Sequence, residues 1–189
     1  MFYLNCSKLK PVLPVAITLA LLIGTILVNG QVMEKNRLLS SSGQFPVGHI
    51  LFDWTDTKRK EPATPEPTDF RQVVAEIWYP AKANSSVRKS DYQFRLENYH
   101  SVWDEKTMKI LASVQTDWLE GASINDSKPF PVFVFSHGWN SQSSSYGTFL
   151  ANLASHGYIV VGINHPYMGK IALSNGIVTA PNDDQFPNQ

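Results

Sequence analysis

The chain has 189 residues, with Lys and Arg together numbering 16 and Asp and Glu together also 16. That balance, with His at five scattered positions, argues against a nucleic-acid partner, which calls for a basic surplus or stripe. A charged fraction of 17% beside 43% hydrophobic residues excludes wholesale disorder. A single Cys, Cys6, excludes an intramolecular disulfide framework and a Cys-rich zinc module, and the length allows one domain.

Residues 1–30 read as an address rather than as fold. Lys8 and Lys10 precede an apolar run whose heart is 12–28. A basic segment before an apolar one is the build of a secretory signal, and Val28 and Gly30 stand at the small-residue positions of a cleavage site before Gln31. The run is also long enough, at ~1.5 Å per residue, to nearly cross the ~30 Å hydrocarbon core of a bilayer. Three readings stay open: a cleaved signal, an uncleaved anchor and a buried core helix. The first two export the rest of the chain, making it secreted or membrane-anchored. Residues 31–45 are polar and Ser-rich and read as a linker, leaving 46–189 as the folded part.

The spacing predicts a strand over 47–54, with Ile50, Leu51, Phe52 and Trp54. Pro62, Pro65 and Pro67 then forbid regular structure. Residues 71–79 alternate: Val73, Ala75, Ile77 and Tyr79 on one face, Val74, Glu76 and Trp78 on the other, ended by Pro80. The two strands suggest an antiparallel pair. Met108, Leu111, Val114 and Trp118 have helical spacing, which fits a core-facing helix, a lid or an interfacial helix in contact with a membrane surface. Residues 131–136 (PVFVFS) form a short apolar run fit for a strand buried on both faces. A Ser run at 141–145 offers N-caps, and Tyr146, Phe149, Leu150 and Leu153 make an apolar helical stripe closed by Gly157. A second buried strand follows at 158–163, so the region is a βαβ unit. Asn175-Gly176 is a hairpin turn signal. An antiparallel pair followed by a parallel βαβ unit implies an α/β fold with a mixed sheet and helices on its faces.

The chemistry is expected where the strand over 131–136 ends, at Ser136-His137-Gly138-Trp139. Ligands of α/β sheets bind at the carboxyl ends of strands, and backbone N–H groups opening a helix are donors for an anion. Ester hydrolysis builds negative charge on the carbonyl oxygen, so a donor aimed there speeds the reaction by roughly 10²–10³. Gly138 would leave room for close approach; the alternative is a plain turn in which it supplies an unusual backbone angle.

The stretch KPFPVFVFSHGWNSQSSSYGTFLANLASHGYIVVGINHPY resembles the third strand, oxyanion turn, first helix and next strand of an α/β-hydrolase. GHILFDWTD and VVAEIWYP resemble the first strand pair of one branch, the plasma-type platelet-activating-factor acetylhydrolases and their bacterial relatives. The likeness covers about 47–178. Related secreted lipases and polyesterases share the SHG and ASHGY pieces. The resemblance implies hydrolysis of lipid or other small carboxylic esters by a Ser-His-Asp triad, without a metal or other cofactor. It also implies an oxyanion donor at the backbone N–H of Trp139, supported by His137 and Gly138. Many relatives continue with glycines where this chain has Asn140-Ser141, and often carry Asp where it has Asn164.

The nucleophile motif of the fold is Gly-x-Ser-x-Gly on a strand-to-helix turn. Gly121-Ala122-Ser123-Ile124-Asn125 fails at its second glycine, and Val134-Phe135-Ser136-His137-Gly138 at its first. Ser136 remains a candidate nucleophile, but little chain follows to supply an acid and a base: Asp183 and Asp184 in a loop-like tail, His156 at a helix end and His165 before a proline. In the resembling family the nucleophile follows the hairpin region of Asn175-Gly176. The expectation is therefore the N-terminal portion of an α/β-hydrolase, inactive by itself, with its nucleophile beyond Gln189. The alternatives are a truncated, non-catalytic exported hydrolase-like protein and a lipase or polyesterase relative.

Overall fold

The computed structural model describes residues 36–182; the apolar segment 1–30, residues 31–35 of the linker and Asp183 and Asp184 lie outside them. Strands β1 (Val47–Lys60) and β2 (Phe70–Pro80) pair antiparallel, with Val47 opposite Pro80 and Asp56 opposite Arg71. β1 runs six residues past the expected end at Trp54. Its tip is charged and exposed, so no alternation marks it; there the Lys60 ammonium lies 3.9 Å from the Phe70 ring centre. Both faces of β2 are buried around Val74, Ala75, Glu76 and Trp78.

A short helix, α1 (Glu105–Ala112), is capped by the Asp104 carboxylate, which accepts from Thr107 N–H at 2.7 Å. It buries Met108 near Tyr99 and Ala172, the core-facing arrangement. The helix stops well before Trp118, whose ring instead enters the core; the spacing that joined 108 to 118 was coincidental. Two residues, β3 (Leu119–Glu120), then pair parallel with Gly48 and His49.

Strand β4 (Val132–Ser136) pairs parallel with β5 (Ile159–Asn164), and α2 (Gly147–Ser155) crosses between them after a 3₁₀ turn at Ser143–Tyr146. This is the expected βαβ unit. The sheet order is β3-β1-β2-β5-β4. β4 is not buried on both faces as its composition suggested: Val132 and Val134 are 62% and 64% exposed. The reason is position, since β5 is its one paired neighbour among the described residues.

The α2 stripe also needs correction. Tyr146 and Phe149 are exposed, and the face on the sheet is Gly147, Leu150, Ala151 and Ala154, packed with Trp78, Trp118, Val47 and Val160. Small residues let the helix approach closely: a Cβ on Gly147 would come 2.6 Å from the Trp118 ring. Burying Leu150 fully contributes about 1.5–3 kcal/mol by apolar transfer, so this contact is a main fixture of α2 on the sheet. Gly157, with φ +99°, ends the helix as expected. Gly176, with φ +85°, turns the hairpin in which Leu173 N–H donates to Ile177 O at 2.8 Å. Residues 36–45 lie along the domain: Ser42 N–H donates to Asn152 Oδ1, and Phe45 meets Phe130 edge-on.

Candidate active site

The parallel strands β4 and β5 end side by side, with Ser136 and Asn164 as their last residues. The chain leaves β4 through His137-Gly138-Trp139-Asn140 and leaves β5 through His165-Pro166-Tyr167-Met168, and the two exits are tied together. His165 N–H donates to His137 Nε2 at 3.1 Å, and Asn140 N–H donates to Met168 O at 2.7 Å.

An accepting Nε2 leaves the His137 proton on Nδ1, which donates to Gly138 O at 2.8 Å. The ring is thus held as the neutral tautomer, and burial pushes its pKa below the ordinary histidine value, ahead of the opposing pull of the Gly138 carbonyl. The ring thereby links the exits of the two strands. Ser136 Oγ lies 2.8 Å from His165 Nε2. Burial, with smaller contributions from His137 and Arg71, lowers the His165 pKa too, which favours the neutral ring that can accept a hydrogen bond from the serine hydroxyl. Among the described residues no carboxylate hydrogen bonds to His165. Beside it opens a depression of about 390 Å³, walled by Arg59, Arg71, Val73, Pro166 and Met168.

Gly138 separates the two readings of this turn. It has no positive φ, and a Cβ built on it would meet nothing within 4 Å. Neither backbone angle nor packing calls for glycine here; what its lack of side chain leaves is open space in front of the turn. The left-handed residue is Asn140, at φ +54°. Asn is the side chain that tolerates this region best after glycine, so Asn140 adopts a conformation open to the glycines of the resembling family. Trp139, half-buried, lies between the two. Ser136, His137, Gly138 and Trp139, singled out in the sequence, are consecutive in the chain; what the structure places beside them is His165. His156 lies elsewhere, with Nδ1 2.8 Å from Asn152 O at the end of α2.

Behind the turn lies a polar network that sequence reading missed. Ser143 N–H donates to Asn164 Oδ1 at 2.7 Å, and Asn164 Nδ2 donates to Glu76 Oε1 at 3.0 Å. Glu76 Oε2 is 3.4 Å from His49 Nε2, and His49 Nδ1 is 2.7 Å from Ser90 Oγ. His49 is fully buried, stacked on Trp78, and burial drives its pKa down. A second string runs from Gln142 and Ser144 to Gln93 Oε1 and on to the Tyr99 hydroxyl. The available signal was Glu76, an acid on the same strand face as Val74 and Trp78. Among the described residues no group of three His, Cys, Asp or Glu side chains is placed to hold a metal ion, and no helix is long and apolar enough to cross a membrane.

The family model of platelet-activating factor acetylhydrolase, isoform II, matches residues 31–174. The chain belongs to that family. A platelet-activating factor acetylhydrolase of Canis lupus familiaris is 25% identical over 145 residues, covering 70% of this chain and 29% of the dog protein. A ferulic acid esterase from Streptomyces cinnamoneus has the same fold, with a TM-score of 0.68 at 20% identity, over 82% of this chain and 43% of the esterase. The chain thus spans under a third of its family relative and under half of that esterase. The mixed sheet is the α/β-hydrolase-type architecture expected from the sequence.

Proposed function

We propose that this chain supplies the oxyanion turn and the first part of the sheet of a carboxylic-ester hydrolase that acts on lipid esters in the manner of its family. The observation that carries the reading is Gly138: an exposed glycine with ordinary φ, facing open space at the carboxyl end of a parallel strand. The backbone N–H of Trp139 is the donor for the ester oxyanion, and the bonds from His165 and Met168 hold the turn preorganised. A serine on a segment following the Asn175-Gly176 hairpin attacks the carbonyl carbon, with a His-Asp pair from the same segment taking its proton. No metal or cofactor takes part. The basic-then-apolar pattern of 1–30 supports export, either secreted or anchored by that segment.

One observation favours a second reading. The 2.8 Å contact of Ser136 with His165 meets the first geometric requirement of a nucleophile and its base. Against it, no carboxylate orients His165 among the described residues, and the elbow glycine is absent.

One experiment decides between them. The chain alone and the full-length gene product are assayed on p-nitrophenyl acetate and on a short-chain phospholipid. Turnover by the full-length product only, lost when a downstream Gly-x-Ser-x-Gly serine is replaced, is the expected result. Turnover by the chain alone, abolished by Ser136→Ala, would move the nucleophile into this chain. No turnover by either leaves a non-catalytic relative.

A further inference from the structure

The Glu76–Asn164 pair has a specific relation to the oxyanion turn. Glu76 sits on β2 and is 2% exposed, and Asn164 ends β5 at 3%. Asn164 uses both ends of its amide: Oδ1 accepts from Ser143 N–H, and Nδ2 donates to the Glu76 carboxylate. A buried Asn could present either end to either partner; a carboxylate can only accept, so it fixes which way the amide faces. The carbonyl end is thereby aimed at Ser143 N–H, one of the first donors of the helical segment that follows the turn. Gly162 makes this approach available, since a Cβ there would come 2.7 Å from Ser143 Oγ.

We propose that Glu76 and Asn164 are positioning residues for the turn that carries the oxyanion donor: the carboxylate orients the amide, and the amide holds Ser143 and so fixes the backbone of 138–140. The turn is then held at both ends. His165 and Met168 hold His137 and Asn140, and the Glu76–Asn164 pair holds the exit at Ser143. The pair also accounts for Asn at 164. An acid there would place a second carboxyl against Glu76 in a buried site, where like charges cannot both be accommodated. The importance of the turn rests on the function proposed above, whereas the hold on Ser143 does not.

The test is a polarity swap. Asn164→Asp removes the donor to Glu76 and sets two buried carboxyls against each other, whose repulsion draws residue 164 off Ser143 N–H, and Glu76→Gln combined with Asn164→Asp relieves that repulsion and restores the bond with its direction reversed. Amide hydrogen exchange of Ser143 and the backbone resonances of Trp139 and Asn140 are read on the chain without substrate. Asn164→Asp alone should speed Ser143 exchange at least tenfold and shift both resonances, and the double variant should recover protection and positions. In a full-length product that hydrolyses esters, Asn164→Asp should lower kcat about 10²-fold, the scale of one lost oxyanion donor, with KM within about threefold. The double variant should recover most of kcat. Turn amides unmoved by Asn164→Asp, or a double variant with no recovery, would overturn the proposal. If the single variant does not fold, the double decides alone: folding with parental turn amides supports the clamp, and displaced amides or failure to fold refute it. Moved amides in a product with no esterase activity would sink the functional reading and leave the clamp standing.

Discussion

Ser136 and His165, at the ends of neighbouring parallel strands, meet with Oγ and Nε2 2.8 Å apart, beside a turn that faces open space. In the proposed mechanism this pair ties the two strand exits together, while the reacting serine comes from elsewhere. Ser136→Ala should then cost no more than about 0.5–1.5 kcal/mol, the worth of one ordinary hydrogen bond. In the full-length enzyme it should leave fluorophosphonate labelling intact. Loss of labelling would identify Ser136 as the nucleophile.

Gly138 and Asn140 make opposite predictions. Gly138→Ala meets no atom within 4 Å and needs no special φ, so its unfolding midpoint should stay near that of the parent. Ester hydrolysis by the full-length enzyme should nevertheless fall, because the new methyl occupies the approach to the turn. Asn140→Val places a β-branched residue at φ +54° and should cost about 1–2 kcal/mol or more. Asn140→Gly should be tolerated. Paired denaturation and rate measurements check both.

His49, His137 and His165 all have pKa values lowered by burial from the ordinary value of 6.5. Each takes up its proton more readily unfolded than folded, so the unfolded chain binds more protons below that value. Stability is therefore full above about pH 6.5 and declines as the pH falls below it. Denaturant midpoints from about pH 8 to about pH 5 should show this fall. His137→Gln, lacking one of the titrating groups, should show a shallower one.

Gly162 faces the buried Ser143 and the Trp78 ring. Gly162→Ala brings a methyl 2.8 Å from Ser143 Cβ and 3.1 Å from Trp78. Overpacking of this kind costs about 1–3 kcal/mol, and it pushes directly on the residue that Asn164 holds. A melt displaced downward, with faster exchange at Ser143, is the expected outcome.

The outer strand carries a solubility prediction. Val132, Phe133 and Val134 present apolar side chains on the outermost described strand. Such edges template association with other chains. Val134→Lys should raise the concentration at which the chain stays monomeric by light scattering, with little effect on its melt.

Local patterns made much of this fold legible. The alternation of β2, the apolar runs of β4 and β5, the helix-ending Gly157 and the Asn175-Gly176 turn each depend on a few neighbouring residues. What depended on distant partners was not. β4 and β5 have nearly the same composition, yet β5 lies between two strands and β4 has one; composition cannot tell an inner strand from an outer one. Trp118 completed a helical spacing but is drawn into the core by Trp78 and His49, far away in sequence. The turn itself was found from His137-Gly138. The bonds that brace it come from Glu76, Asn164, His165 and Gln93, and only folding shows them converging.

The strand order also sets a timetable for synthesis. β1 and β2 are close in sequence and can pair as soon as they leave the ribosome. The strand that covers the other side of β2 is β5, the last of the described strands to be made, and among the described residues β4 joins the sheet through β5. Until residue 164 has emerged, the VFVFS segment has no place in the sheet, and the turn attached to it has no His165 or Met168 to close on. Long-range parallel pairing of this kind is the slow part of folding. The nascent chain therefore carries an unpaired apolar segment through the whole of α2, and the turn that follows it closes only after β5 has been made.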